Sequence, residues 1–408
     1  MPSHLWLPFT QMADFDARER SFVSARGSEL TDARGRTLFD AISSVWVTIH
    51  GHGHPAIVDA IATQAGRLDH ATALGASNPV AEELAARLAT LTGLQYAFFA
   101  SDGASAIEAA LKMALQYWRR VGQPQRTTFA HLRSSYHGDT TGAMSISDIA
   151  DYKRDFGAIC FESFVAGDLS AVCARDNVAA IIVEPLVQAA AGMQIVANDA
   201  YRALRDARAR ATAPAPLLIV DEIATGFGRT GTMFAFEQLA LQPDLLCVGK
   251  GITGGTLALS ATLATARVYD AFLGRTSDLR HFFHGHSYAA NPIACAAALA
   301  TLELFDCEAT LAHVARLSAH LGTSLVSLAS HPRVREIRRA GLMCGIELAP
   351  PPDWNAPVSY GRYVARELYE RGHFTRPIGE TIQLVPPLSS RTGELDSFVT
   401  ELSSVLAA

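Results

Sequence analysis

Nowhere in this 408-residue chain do about 20 consecutive residues stay both apolar and uncharged, so a membrane-spanning helix is not expected. Charge is sparse too: Asp, Glu, Lys and Arg together make up 18%, and the formal net charge is −6. That balance excludes the supercharged and disordered classes and gives no electrostatic reason for nucleic acid or an anionic membrane surface as partner. The six cysteines (Cys160, Cys173, Cys247, Cys295, Cys307, Cys344) form no CxxC pair, and several lie in apolar runs, as buried reduced thiols do. Met1 to Trp6 lack the basic and apolar stretches of a secretion signal, and a cytoplasmic protein is expected. Two His-rich pieces, His50-Gly51-His52-Gly53-His54 and His281-Phe282-Phe283-His284-Gly285-His286, come without partner cysteines or an HExxH helical spacing, so no metal site is expected.

What the chain does have is core material in a repeating pattern. Hydrophobic residues make up 49%, and the length exceeds what one core organises. Between about Ala41 and Pro292, helical stretches alternate with short apolar runs at 97–100, 127–130, 179–183, 217–220 and 245–248. This is the signature of an α/β fold with a mostly parallel sheet and crossover helices. Residues 29–36 read as a hairpin. Beyond Asn291-Pro292, a helix over 294–304, a strand over 341–348 and a final helix over 395–406 predict a smaller α+β domain, with Pro350 to Trp354 as a surface loop. The division expected is an N-terminal segment 1–44 packing with the small domain, a large domain 45–290 and a small domain 291–408.

Two residues stand out against this frame. Asp221 closes the run Leu217-Leu218-Ile219-Val220, and about 29 residues later Lys250 follows Leu245-Leu246-Cys247-Val248-Gly249. Open α/β sheets hold ligands at the C-terminal ends of their strands, where both residues fall. Alone, each reads as a solvated turn or a surface lysine. Together they are what pyridoxal phosphate chemistry needs: an amine for the coenzyme aldehyde and an acid to keep the pyridine nitrogen protonated. Ser101-Asp102-Gly103-Ala104-Ser105 leads from a strand into a helix, and free amides among small residues suit a phosphate. Tyr136, in Tyr136-His137-Gly138-Asp139, is placed to stack on a flat ring. Glu184 and Gln188 follow another strand, the latter able to reach the coenzyme's phenolic oxygen. Gly285-His286-Ser287 offers small residues and a hydroxyl to a phosphate.

The run Asp221-Glu222-Ile223-Ala224-Thr225-Gly226-Phe227-Gly228-Arg229-Thr230-Gly231, with Gly249-Lys250-Gly251, resembles the signature of the class III, fold-type I pyridoxal phosphate aminotransferases. Within that family, Met113 to Trp118, Tyr136 to Thr140, Lys250 to Gly255 and Thr375-Arg376-Pro377-Ile378-Gly379 are similar to the branch that aminates 8-amino-7-oxononanoate in biotin biosynthesis. The likeness runs from about Leu5 to Pro387. It implies a seven-stranded fold-type I sheet, a small-molecule keto acid and an amino donor as substrates, and a homodimer whose active sites are shared across the interface. Lys250 would be the Schiff-base lysine, Asp221 the pyridinium partner and Tyr136 the stacking ring. Gly103 and Ala104 would supply phosphate amides, while His286 and Ser287 would reach the neighbouring subunit's coenzyme. Arg376 would bind the substrate carboxylate through its bidentate fork. Gly285 would contact the keto substrate through its backbone.

The chain departs from the family pattern at four places. Val45-Trp46 stands where two adjacent indoles are frequent, Phe9 where a tyrosine is, Asp102 where a serine is, and His286-Ser287 where Pro-Thr is. The substrate wall is therefore expected from Phe9, Val45 and Trp46. Loss of one aromatic face for a sulfonium cation leaves the donor open between S-adenosylmethionine, the commoner one in the family, and lysine. Another class III ω-amino acid aminotransferase and a non-catalytic coenzyme-binding protein are the rival readings.

Overall fold

Val178-Ala179-Ala180-Ile181-Ile182-Val183 is apolar at every position, and all six residues are buried, as in a strand covered on both faces. In the computed structural model, which describes residues 4–14 and 21–408, this strand lies inside a seven-stranded sheet. The order across the sheet is Tyr96–Ala100, Ser260–Ala264, Leu245–Val248, Leu217–Asp221, Val178–Val183, Thr128–His131 and Phe164–Val165. Ser260–Ala264 alone runs against the others. Sequence periodicity locates five of the seven strands. It misses Phe164–Val165, too short to show a pattern, and Ser260–Ala264, whose Ser-Ala-Thr-Leu-Ala merges with the small residues before it.

Alternate residues point to opposite faces, and each face has its own core. Ile181, Val183, Val220 and Leu246 join one apolar cluster, and Ala180, Ile182, Ile219 and Leu245 join the other. The helix Gly103–Arg120 closes the second face. Its Ala106, Ile107, Ala110, Leu111, Met113, Ala114, Tyr117 and Trp118 are buried at the spacing of one helical stripe. Asp102 caps the start of this helix by accepting from the Ser105 amide at 3.0 Å, and Arg119 and Arg120 occupy the last turn.

The two ends of the chain meet. Phe22–Arg26, Glu29–Asp32 and Thr37–Asp40 form antiparallel strands, and His373–Phe374 joins Thr37–Asp40 in parallel. A further antiparallel sheet orders Val334–Ala340, Met343–Leu348, Thr381–Leu384 and Pro377–Ile378. Val334–Ala340 escapes a hydrophobic reading because Arg335, Glu336, Arg338 and Arg339 supply most of it. The helix Pro292–Cys307, capped by Asn291, links the two regions and packs on the helices Pro55–Arg67 and Pro79–Thr92.

Candidate active site

Strand register brings the polar residues together. Val220 pairs with Val183 on one side and Leu246 on the other, so Asp221 comes level with Glu184, and Lys250 lies three residues beyond Asp221's neighbour Cys247. A cavity of about 490 Å³ opens at this sheet end, lined by Asp102, Gly103, Ala104, Tyr136, His137, Gly138, Asp139, Glu184, Asp221, Lys250 and Trp46 among others. At one end is the start of the helix Gly103–Arg120. Gly138, at φ +126°, lets the Tyr136 loop approach that helix closely: a Cβ there would stand 2.5 Å from the Ala104 Cβ. A Cβ on Gly103 would meet the Ile223 side chain at 2.8 Å.

Asp221 is buried and held from two sides. Its Oδ1 accepts from the Ile223 amide at 3.0 Å, and its Oδ2 lies 2.7 Å from His137 Nδ1. A carboxylate offers about four lone-pair sites, so acceptor capacity remains for a ring N–H in the cavity. His137 Nε2 is buried and has no hydrogen-bond partner among the described residues. Beside them, burial pushes the Glu184 carboxyl up to about 7; the His137 charge opposes this and Asp221 adds to it. Glu184 Oε2 accepts from the Tyr136 amide at 3.1 Å, fixing the loop that carries the aromatic ring. Tyr136 in turn donates its hydroxyl to Asp139 Oδ2 at 2.8 Å, and burial raises its pKa.

Burial lowers the Lys250 pKa, the Asp221 and Glu184 charges oppose the fall, and Arg229 adds to it. Among the described residues, no carboxylate lies within ion-pairing distance of its Nζ, which sits 5.1 Å from the centroid of the Trp46 ring. Trp46 ends a run of four residues with left-handed backbone: Ser43 at φ 49°, Ser44 at 49°, Val45 at 69° and Trp46 at 68°. Non-glycine residues in this region cost roughly 1–2 kcal/mol each. Asp40 offsets part of that cost. Its buried carboxylate accepts from the Ser44 amide at 3.0 Å and the Ser44 hydroxyl at 2.9 Å, and His52 Nε2 lies 2.8 Å away.

The structure gathers Lys250, Asp221, Tyr136, Gly103, Ala104, Glu184 and Trp46 around one cavity. Gln188 does not join them. It is buried, and its Nε2 donates to the Arg133 carbonyl at 2.7 Å instead of entering the cavity. Phe9, Val45 and Arg376 lie outside the lining and are exposed, as are Gly285 and Ser287, while His286 is half-buried. Phe9 meets Tyr152 edge-on at 5.3 Å, and Tyr152 meets Tyr136 edge-on at 5.7 Å, so an aromatic chain leads from Phe9 to the cavity. The Arg376 charge acts on Tyr152, which puts the guanidinium on the same side. Asp102 spends its oxygens on Ser101 and Ser105, doing the capping work of the serine it stands for.

His137, Asp139 and Tyr152 escape a sequence reading. His137 and Asp139 sit in an irregular segment and Tyr152 in the one-turn helix Ala150–Lys153, where no periodicity separates a buried polar residue from a solvated one. The histidines that invite a metal reading have other contacts: His50 Nε2 lies 3.1 Å from the Thr301 carbonyl, and His54 Nε2 lies 3.0 Å from Glu308. Among the described residues, no group of three or more His, Cys, Asp or Glu side chains is arranged to hold a metal ion.

Lys250, half-buried, and Asp221, buried, thus face one strand-end cavity of a mostly parallel α/β sheet, an amine and an acid together as pyridoxal chemistry needs. The chain belongs to the class-III aminotransferases, whose family model matches residues 15–406. The adenosylmethionine-8-amino-7-oxononanoate aminotransferase of Synechococcus elongatus is 40% identical, over 100% of this chain and 99% of that protein. The crystal structure of the enzyme of the same name from Methanocaldococcus jannaschii superposes with a TM-score of 0.93 at 34% identity, covering 99% of this chain and 97% of that one. An amine transaminase from an uncultivated Pseudomonas species, in its PLP-bound form, follows at a TM-score of 0.89 and 31% identity, covering 99% and 98%. Its substrates are small molecules, as the family requires, and no helix among the described residues is long and apolar enough to cross a membrane.

Proposed function

We propose that this chain is a pyridoxal phosphate-dependent enzyme of biotin biosynthesis that aminates 8-amino-7-oxononanoate to 7,8-diaminononanoate, with S-adenosylmethionine as amino donor. The observation that carries the reading is the placement of Lys250 and Asp221 on one cavity, with the start of the helix Gly103–Arg120 at its end. The full-length similarity to enzymes named for this reaction gives the substrate.

The residues present fit the coenzyme. The Gly103 and Ala104 amides, at a helix start with no Cβ on Gly103 to block approach, suit its phosphate. Asp221, held by His137 and the Ile223 amide, suits its pyridine nitrogen. His137, whose buried Nε2 has no partner among the described residues, lines the same cavity. When bound, pyridoxal phosphate supplies an aldehyde carbon and an electron-accepting ring. Lys250, its pKa lowered by burial, would provide the amine that meets the coenzyme and afterwards a base that moves a proton from the donor carbon. Tyr136 covers the ring, and Glu184 fixes the Tyr136 loop. Trp46, Val45 and Phe9 wall the substrate, Arg376 binds its distal carboxylate, and the Gly285 backbone contacts its keto end. His286 and Ser287 reach the coenzyme phosphate of a second subunit, which makes the working unit a homodimer. The large domain, 45–290, carries the coenzyme site, 291–408 is the small domain, and the segment 1–44 packs with the small domain. We place the enzyme in the cytoplasm.

A second donor, L-lysine, is favoured by Val45: an aliphatic residue, 39% exposed, gives a sulfonium cation no second aromatic face beside Trp46. Mixing the coenzyme-loaded enzyme with each candidate and following the coenzyme's visible absorption separates the two. The donor is the compound that changes it. A Lys250→Ala protein that still turns over 8-amino-7-oxononanoate removes the whole assignment.

A further inference from the structure

Trp46 and Arg376 come from opposite ends of the chain, yet one buried side chain joins them. Gln383, in the strand Thr381–Leu384, is 4% exposed. Its Oε1 accepts from the Trp46 indole Nε1 at 2.8 Å, and its Nε2 donates to the Arg376 carbonyl at 2.7 Å. The Gln383 carbonyl accepts from the Thr375 hydroxyl at 2.6 Å, so the segment Thr375-Arg376 is tied to this residue twice. Every polar atom of the carboxamide that faces these two groups is used, which fixes its orientation: the oxygen faces the indole because the nitrogen faces a carbonyl. The indole so held is the one the Lys250 amine sits over.

We propose that Gln383 is a positioning residue that sets the indole of Trp46 over Lys250 and registers it against Arg376. The wall above the reacting amine and the carboxylate anchor are then placed as a unit, and the distance between them selects keto acids of one chain length. The chain-length part rests on the substrate reading above; the Trp46 part does not.

The test is a double-mutant cycle on the full-length enzyme with Trp46→Phe and Gln383→Leu, read by kcat/KM for 8-amino-7-oxononanoate and by tryptophan emission of the coenzyme-free protein. Each single change is expected to lower kcat/KM about tenfold, and the double variant to be no worse than the weaker single one. Gln383→Leu is expected to shift the emission in the Trp46 background and to leave it unmoved in the Trp46→Phe background. Losses that multiply to about a hundredfold, or an emission shift that persists without Trp46, overturn the proposal. Gln383→Glu, of the same size, keeps an oxygen for the indole but as a carboxylate has no hydrogen for the Arg376 carbonyl, so it separates the two contacts. It is expected to hold the emission nearer the wild type than Gln383→Leu does while kcat/KM falls about tenfold, and an emission shift equal to that of Gln383→Leu counts against the proposal. If wild-type enzyme does not process 8-amino-7-oxononanoate, the substrate reading fails, while the emission arm still decides the role of Gln383.

Discussion

Asp221 Oδ2 lies 2.7 Å from His137 Nδ1, and neither residue is exposed. The carboxylate that would meet the coenzyme ring is therefore oriented by an imidazole and by the Ile223 amide. Asp221→Asn keeps the shape and removes the charge, and kcat is expected to fall by about 10²–10³, the scale for removing one preorganised electrostatic group. His137→Gln leaves the charge and loosens its orientation, for a smaller fall of about tenfold. Steady-state kinetics on the two variants check the order; a larger loss at His137 contradicts it.

Arg376 is exposed and on the Tyr152 side of the cavity. If it anchors a carboxylate far from the reacting carbon, Arg376→Ala raises the KM for the keto acid by about 10–100-fold and leaves kcat within about threefold. An unchanged KM removes the anchor.

Burial of Glu184 gives a pH dependence of definite sign. Its folded pKa of about 7 lies above the ordinary 4.5, so the folded state holds the proton more tightly than the unfolded one. The stability gained by burying the neutral acid is complete below about 4.5 and is lost as pH rises through about 7, by about 3 kcal/mol at most. Glu184→Gln cannot ionise. In urea unfolding of the coenzyme-free protein, the variant is expected to gain on the wild type between about pH 5 and pH 8. A constant difference across that range refutes the assignment.

Gly138 lies where the Tyr136 loop passes against the helix start. Its φ of +126° is already costly for an L residue, and a Cβ would press on Ala104. Gly138→Ala is expected to weaken coenzyme binding at least about tenfold, measured by equilibrium dialysis, because the loop can relieve the clash only by moving off the helix.

How far the sequence speaks depends on how local each feature is. The strand ends bearing Asp221 and Lys250 show themselves because an apolar run stops abruptly, and the pair needs no third residue to suggest its chemistry. The strand Val334–Ala340 hides behind its charges, since Arg338 pairs with Glu336 along its own strand and with Glu347 on the next, and the alternation disappears. Likewise, nothing near Gln188 marks its side chain as spoken for by Arg133, 55 residues away. His137 and Gln383 act through partners 84 and 337 residues distant, and such contacts exist only once the chain has folded.

The left-handed run from Ser43 to Trp46 sets what kind of change this pocket accepts. A β-branched Val45 at φ 69° occupies a conformation in which Gly or Asn is at ease and Ile or Thr is not. Changing position 45, next to the cavity-lining Trp46, is therefore a choice among backbones before it is a choice among side-chain sizes. Libraries that vary position 45 by volume alone are expected to fail by misfolding the turn, and those that begin from glycine or asparagine to keep it.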